Sequence, residues 1–176
     1  MNMVQDLAAR TLLVILVAAV VQDFMCMKIS NRLILMGILF SLAFGFMTGG
    51  LRQVLYVLVN ISFPVFVLYL FYLLGVLGAG DIKLFSIIGG FTNFKLLTGC
   101  MFYSFVAAAV IAVGKMLYNR NLRISVFKAG IFFRSIPREG LVSYHREWAE
   151  RRNLMHFSVP ILIGYMVAVL HWKLYR

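Results

Sequence analysis

The sequence predicts an all-α fold, a polytopic membrane protein built as a bundle of about six transmembrane helices. Of its 176 residues, 62% are hydrophobic and only 13% are charged, and the mean hydropathy is +0.92. A soluble domain would carry about 25% charged residues. The apolar residues are gathered in long runs, the pattern of successive membrane passes. We therefore expect a single membrane domain over residues 1–176, with no separate soluble domain.

Six apolar segments can be recognised along the chain. They are predicted at residues 7–24, 33–48, 54–77, 82–94, 96–118 and 154–172. The third contains Pro64, which is expected to kink it. The fourth is the shortest, because at about 1.5 Å per residue it extends about 20 Å, against a hydrocarbon core of about 30 Å. Its Gly89-Gly90 pair is expected to weaken the helix further.

The basic residues predict the orientation of these segments. The chain has 17 Lys and Arg against six Asp and Glu, an excess that in a membrane protein marks cytoplasmic loops rather than nucleic-acid binding. With six passes, twelve basic residues fall on one side and five on the other. We therefore expect both termini outside the cell membrane and a basic cytoplasmic loop at about 119–153, which could rest on anionic lipid.

Two aspartates fall at the same predicted face. Asp23 ends the first segment and Asp81 begins the fourth, and they are the only acidic residues between residues 7 and 138. Ionisable groups at a membrane are costly and point to function by default. Taken singly, Asp81 could be a helix N-cap and Asp23 could pair with Lys28 or Arg32. Two carboxylates on one side favour a functional pair.

The pair predicts the chemistry of an aspartic protease. Two carboxylates a few ångströms apart share a proton, because both cannot ionise cheaply. The ionised member takes a proton from the attacking water, and the protonated member donates to the carbonyl oxygen and then to the leaving amine. Which residue plays which part stays open, since the apparent pKa values belong to the pair. This chemistry requires neither a metal nor a cofactor.

Other catalytic chemistries find little support in the sequence. The three histidines form no HExxH or other metal-ligand spacing, and Cys26 and Cys100 are far apart. Ser104 and Ser158 have no nearby base in the pattern of a serine hydrolase. Neither a GxSxG motif nor a P-loop occurs.

Both aspartates lie in motifs that resemble those of the type IV prepilin peptidase family, membrane aspartic proteases that include the preflagellin peptidases. Residues 78–84 read GAGDIKL and match the family motif GxGDxKL. Asp23, followed by KISN at 28–31, matches the second motif, an aspartate with Ile-Pro-Asn six to eight residues later. Ser30 stands here in the place of that proline. The resemblance extends over about residues 7 to 172, with only a weak match near the last segment.

The resemblance implies roles for the residues of both motifs. Asp23 and Asp81 are implied as the catalytic pair. The other motif residues that we expect to position the dyad or the substrate are Gly78, Gly80, Lys83, Lys28 and Asn31. Glycine suits such a site because it lets the backbone leave helical geometry and approach a ligand closely.

The resemblance also implies a substrate. The family cleaves the short basic leader of prepilin-like precursors, which include pilins, pseudopilins and archaellins, after a glycine at the cytoplasmic membrane surface. Large bifunctional members add a cytoplasmic domain with cysteine pairs and methylate the new N-terminus. This chain resembles the small, peptidase-only members, so methyltransferase activity is not expected.

Two other functions stay open from the sequence. Presenilin-like intramembrane proteases share GxGD but have Tyr-Asp in the first motif, where this chain has Gln22 before Asp23. A transporter or assembly protein could use paired carboxylates to relay protons without being an enzyme. Transport sites lie near the membrane midplane, whereas both carboxylates here are predicted near one face.

Overall fold

The computed structural model confirms the all-α prediction. It describes residues 3–26, 29–74, 77–118 and 157–174. Their helices are α1 (Met3–Cys26), α2 (Asn31–Leu73), α3 (Ala79–Phe91), α4 (Phe94–Tyr118) and α5 (Ser158–Leu174). Three of them, α1, α2 and α4, are long and apolar enough to cross a membrane, and α5 is a shorter apolar helix. The protein is therefore a membrane protein, and the predicted basic loop at 119–153 lies outside the described residues.

The chain divides into two compact units. The first comprises Met1–Val106 and His156–Arg176, and the second comprises Ala107–Met155. Within the second unit the structure describes only residues 107–118, which continue helix α4. Both aspartates and all contacts discussed below belong to the first unit.

Helix α2 contains two predicted segments, because a sharp break divides it into two arms at residues 31–48 and 51–73. Its 43 residues would extend about 65 Å as one straight helix, about twice the thickness of a hydrocarbon core. The dihedral angles become non-helical at Gly49 and at Gly50, where φ is +61°. Such a φ favours glycine. The arms fold back on each other, so that a Cβ on Gly45 would lie 3.0 Å from a methyl group of Val57.

Helix α3 lies at the centre of the first unit. Eight of its 13 residues are buried, including Leu84, Phe85 and Ile88, and it contacts α1, α2 and α5. The buried side chains that the other helices add to the same core include Leu12, Leu16, Leu68, Leu97, Cys100 and Ile161. The outer faces of those helices carry large exposed apolar side chains, such as Phe66 at 87% exposure. This distribution suits surrounding lipid, and it leaves α3 as the helix most enclosed by protein.

The Gly89-Gly90 pair, which the sequence predicts to weaken the fourth segment, lies within the continuous helix α3. A Cβ on Gly89 would collide with the main-chain oxygen of Asn60 in the second arm of α2. A Cβ on Gly90 would collide with the side chain of Ser41 in the first arm. Small residues let helix backbones approach closely where packing, rather than hydrophobic exclusion from water, holds helices together. The glycine pair thus seats α3 between the two arms.

Replacing Gly89 by Ala is expected to destabilise the protein by about 1–3 kcal/mol, because a main-chain atom cannot move aside as a side chain can. Thermal unfolding of the purified protein in detergent measures the effect. Gly99→Ala in α4 is the matched control, since a Cβ there meets no atom within 4 Å. An equal loss of stability in both variants would contradict the close approach of α3 and α2.

Candidate active site

Asp81 is fixed at the start of helix α3. Gly78 is the N-cap residue, with extended backbone angles, and Asp81 is the third residue of the helix. The Gly78 N–H donates to Asp81 Oδ2 at 3.2 Å, and the Asp81 N–H donates back to the Gly78 oxygen at 3.1 Å. Asp81 is therefore not the N-cap that it could have been, but it carries out the reciprocal half of a capping interaction. A carboxylate is also favoured there by the helix dipole.

Asp23 lies in the last turn of α1 and is held from a distant part of the chain. Ser158 Oγ donates a hydrogen bond of 2.6 Å to Asp23 Oδ2 across a separation of 135 residues. Ser158 is the first residue of α5 and is only 1% exposed. A short hydrogen bond from a hydroxyl to a carboxylate is among the stronger polar contacts in proteins.

The two carboxylates lie within electrostatic reach of each other. Helix α1 contacts α3, and the charge of Asp23 acts on the Asp81 carboxyl. The pKa of Asp81 is raised from its ordinary 3.8 to about 6, mainly by burial; the hydrogen bond from Gly78 acts to lower this pKa, and the Asp23 charge acts to raise it. A perturbed pKa caused by burial together with a specific charged neighbour is typical of functional sites. The arrangement can hold one proton between two carboxyl groups.

The motif residues connect the segments that carry the two aspartates. Lys83 Nζ donates to Asn31 Oδ1 at 2.9 Å, which links α3 to the start of α2. A Cβ on Gly80 would lie 3.3 Å from Ile29 Cδ1, so glycine allows a close approach at the same junction. A Cβ on Gly78 would lie 3.2 Å from Asp81 Oδ2. The structure thus brings together four of the five predicted positioning residues, and Lys28 lies outside the described residues.

Ser30, which replaces the family's proline, has a structural role of its own. Its N–H donates to Gln22 Oε1 at 3.1 Å, and its hydroxyl accepts from the Arg32 N–H at 3.3 Å as the N-cap of α2. Proline has neither the N–H nor the hydroxyl. The bond to Gln22 ties the second helix to the residue beside Asp23. Gln22 and Ser158 are the site residues that sequence reasoning missed as partners.

A cavity of about 420 Å³ lies between α4 and α5, and its lining includes Lys95, Tyr103, His171 and Trp172. Its residues on α5 begin ten positions beyond Ser158, which corresponds to about 15 Å along a helix. In the part of the chain that the structure describes, no group of three or more His, Cys, Asp or Glu side chains could hold a metal ion.

Comparison with known proteins agrees with the two motifs. The model of the type IV leader peptidase family matches residues 11–113, which include both aspartates and all five predicted positioning residues. No match was found among curated proteins or among solved structures. Because the family match covers more than half of the chain, the protein belongs to the type IV leader peptidase family and is a protease of the membrane.

Proposed function

We propose that the protein is an aspartic endopeptidase that cleaves the short basic leader of type IV prepilin-like precursors at the cytoplasmic face of the cell membrane. The electrostatic interaction between Asp23 and Asp81 carries this proposal, because the two motif carboxylates belong to helices that contact each other and the charge of one acts on the other. The family supports a leader peptidase, and the chain is proposed as a peptidase without methyltransferase activity.

The proposed reaction uses one proton shared between the two carboxyl groups. The ionised carboxylate accepts a proton from water as that water attacks the peptide carbonyl, and the protonated carboxyl donates to the carbonyl oxygen. As the tetrahedral intermediate collapses and the C–N bond breaks, one of its hydroxyl groups returns a proton to the now ionised carboxylate, and the other carboxyl donates its proton to the leaving amine. The dyad gains two protons and gives two away, so it ends with the one proton with which it began.

A six-pass topology supports this location of the cut. The two arms of α2 would cross separately, and Asp23 at the end of α1 and Asp81 before the segment 82–94 would then share one face. The positive-inside rule makes that face cytoplasmic and puts both termini outside. A precursor whose hydrophobic helix lies in the bilayer would present its leader at this level, and the loop at 119–153 would rest on anionic lipid.

Replacing either aspartate is expected to abolish leader cleavage. Asp23→Asn and Asp81→Asn each remove one proton-transfer group, a loss of about 100- to 10,000-fold or more in rate. Each variant is co-expressed with a prepilin-like precursor at matched membrane levels, and the product is identified by N-terminal sequencing. Asp6→Asn, at the other end of α1, is the matched control and should cleave like the wild type.

Three results would contradict the proposal. Cleavage by both aspartate variants would make the carboxylates structural. A wild-type cut inside the substrate's transmembrane helix would favour a presenilin-like protease. Failure of the wild type to cut any of a panel of leaders would favour a non-enzymatic role.

The raised pKa of Asp81 predicts a pH-dependent cost to stability. The carboxyl has a pKa of about 6 in the folded protein against 3.8 ordinarily, so its contribution to stability is complete below about pH 4 and is lost as the pH rises through 6. Asparagine stays neutral. Above about pH 7, the unfolding free energy of Asp81→Asn is expected to exceed that of the wild type, because only the wild type then holds a buried charge. The expected difference is about 1–3 kcal/mol, a range that allows for the partial exposure of the side chain. Thermal unfolding of both proteins across this pH range measures the difference. If the pKa of Asp81 were near its ordinary value in the folded protein, the difference between the two proteins would not change with pH.

The Lys83–Asn31 hydrogen bond is expected to support catalysis indirectly. Lys83→Met and Asn31→Ala should each reduce the cleavage rate by about 3- to 10-fold, because they loosen the junction without removing a reacting group. The double variant should cleave no more slowly than the slower of the two single variants, since both changes remove the same contact. A loss as large as that of Asp81→Asn would place Lys83 or Asn31 in the reaction itself.

A further inference from the structure

Ser158 lies outside the two motifs that contain the aspartates, in the weakly matching stretch near the last segment. It is the first residue of α5, 1% exposed, and lies outside the residues 11–113 that match the family. Its hydroxyl hydrogen bonds to Asp23 Oδ2 at 2.6 Å. A buried hydroxyl that points at a carboxylate across a helix interface does more than complete the packing, because it acts on the charge of that carboxylate.

The two carboxylates have unequal surroundings. Asp81 accepts one main-chain N–H, at 3.2 Å, and its carboxylate is disfavoured by burial. Asp23 accepts the much shorter hydroxyl hydrogen bond, of 2.6 Å. A donor hydrogen bond stabilises the ionised form of a carboxylate. The shorter hydrogen bond therefore favours the charge on Asp23, and burial favours the proton on Asp81.

We propose that Ser158 is a positioning residue of the dyad, whose hydroxyl makes Asp23 the charged member that deprotonates water and leaves Asp81 as the member that holds the proton. This inference rests on the proposed function. It assigns the two roles that the sequence left open.

The helices packed against α1 carry few charged residues near the site. Helix α3 contributes Asp81, whose carboxyl interacts with the Asp23 charge, and it carries Lys83 two residues further on, while Arg32 lies in the first turn of α2. Helix α5 has no charged residue over 158–170, where Tyr165 is its one titratable group. The Asp81 charge opposes ionisation of Asp23, and the Ser158 hydroxyl acts against that repulsion. Lys83 is engaged with Asn31.

The pH dependence of cleavage tests this assignment. In a profile of kcat/KM over about pH 4 to 9, the acidic limb reports the base and the alkaline limb reports the acid. Ser158→Ala should move the acidic limb up by about one pH unit and leave the alkaline limb in place, because it removes the hydrogen bond that stabilises the ionised state of the dyad. Ser158→Thr keeps the hydroxyl and should restore the limb.

Ser104→Ala is the matched control. Ser104 is also fully buried, but its hydroxyl donates to the main-chain oxygen of Cys100. Its loss should leave both limbs where they are in the wild type. If Ser158→Ala does not accumulate in the membrane, Ser158→Cys replaces it, since a thiol is a weak donor of similar size. An unmoved acidic limb in the folded variant would overturn the inference.

A second measurement does not depend on cleavage. A carbodiimide modifies protonated carboxyl groups, and mass spectrometry compares the modification of Asp81 with that of Asp23 in the same sample. The wild type should be modified mainly at Asp81, whereas Ser158→Ala should raise the share found at Asp23 several-fold and Ser158→Thr should restore the wild-type share. An unchanged share overturns the role of Ser158 whether or not leaders are cut. A changed share in a protein that cuts no leader supports the unequal carboxylates and overturns only the proposed function.

Discussion

The close approach of α3 to both arms of α2 is the constraint on which the rest of the structure depends. Gly89 faces the main chain of one arm and Gly90 a side chain of the other, so α3 can lie between them with most of its residues buried. In a membrane, where apolar side chains gain little by leaving lipid, such close packing determines the position of a helix. Once α3 is seated, its first turn is fixed, and with it the carboxylate of Asp81.

Placing two carboxylates in this apolar surrounding requires compensating donors, and the protein takes them from separate parts of the chain. Asp81 receives the N–H of Gly78 from its own helix start, whereas Asp23 receives the hydroxyl of Ser158 from α5. Neither of these two donors carries a charge, so neither neutralises a carboxylate, and both are compatible with the shared proton that the proposed reaction requires.

Much of the fold could be predicted from the sequence, because long apolar runs and glycine breaks are local signals. The all-α membrane class followed from composition, and the predicted boundary between residues 48 and 54 coincides with the break at Gly49 and Gly50. The pairing of helix faces could not be predicted. A helix that is apolar all round has no polar stripe to distinguish its buried face, so the contact of Ser158 with Asp23 left no periodic signal. Gly89 and Gly90 could be predicted only from their low helix propensity, because the neighbouring backbone and side chain that they approach belong to another helix.

The site is assembled from more helices than its motifs occupy. Gln22 and Ser30 hold the turn after Asp23, and Lys83 and Asn31 hold that turn against α3. These contacts hold the two motifs against each other, and all of their residues belong to α1, α2, α3 or the segment between α1 and α2. Helix α5 adds a contact from outside both motifs, the hydrogen bond of Ser158 to Asp23. A reaction that needs two chemically equivalent residues to act differently requires an unequal environment, and in the assignment that we propose the Ser158 hydroxyl of α5 provides it.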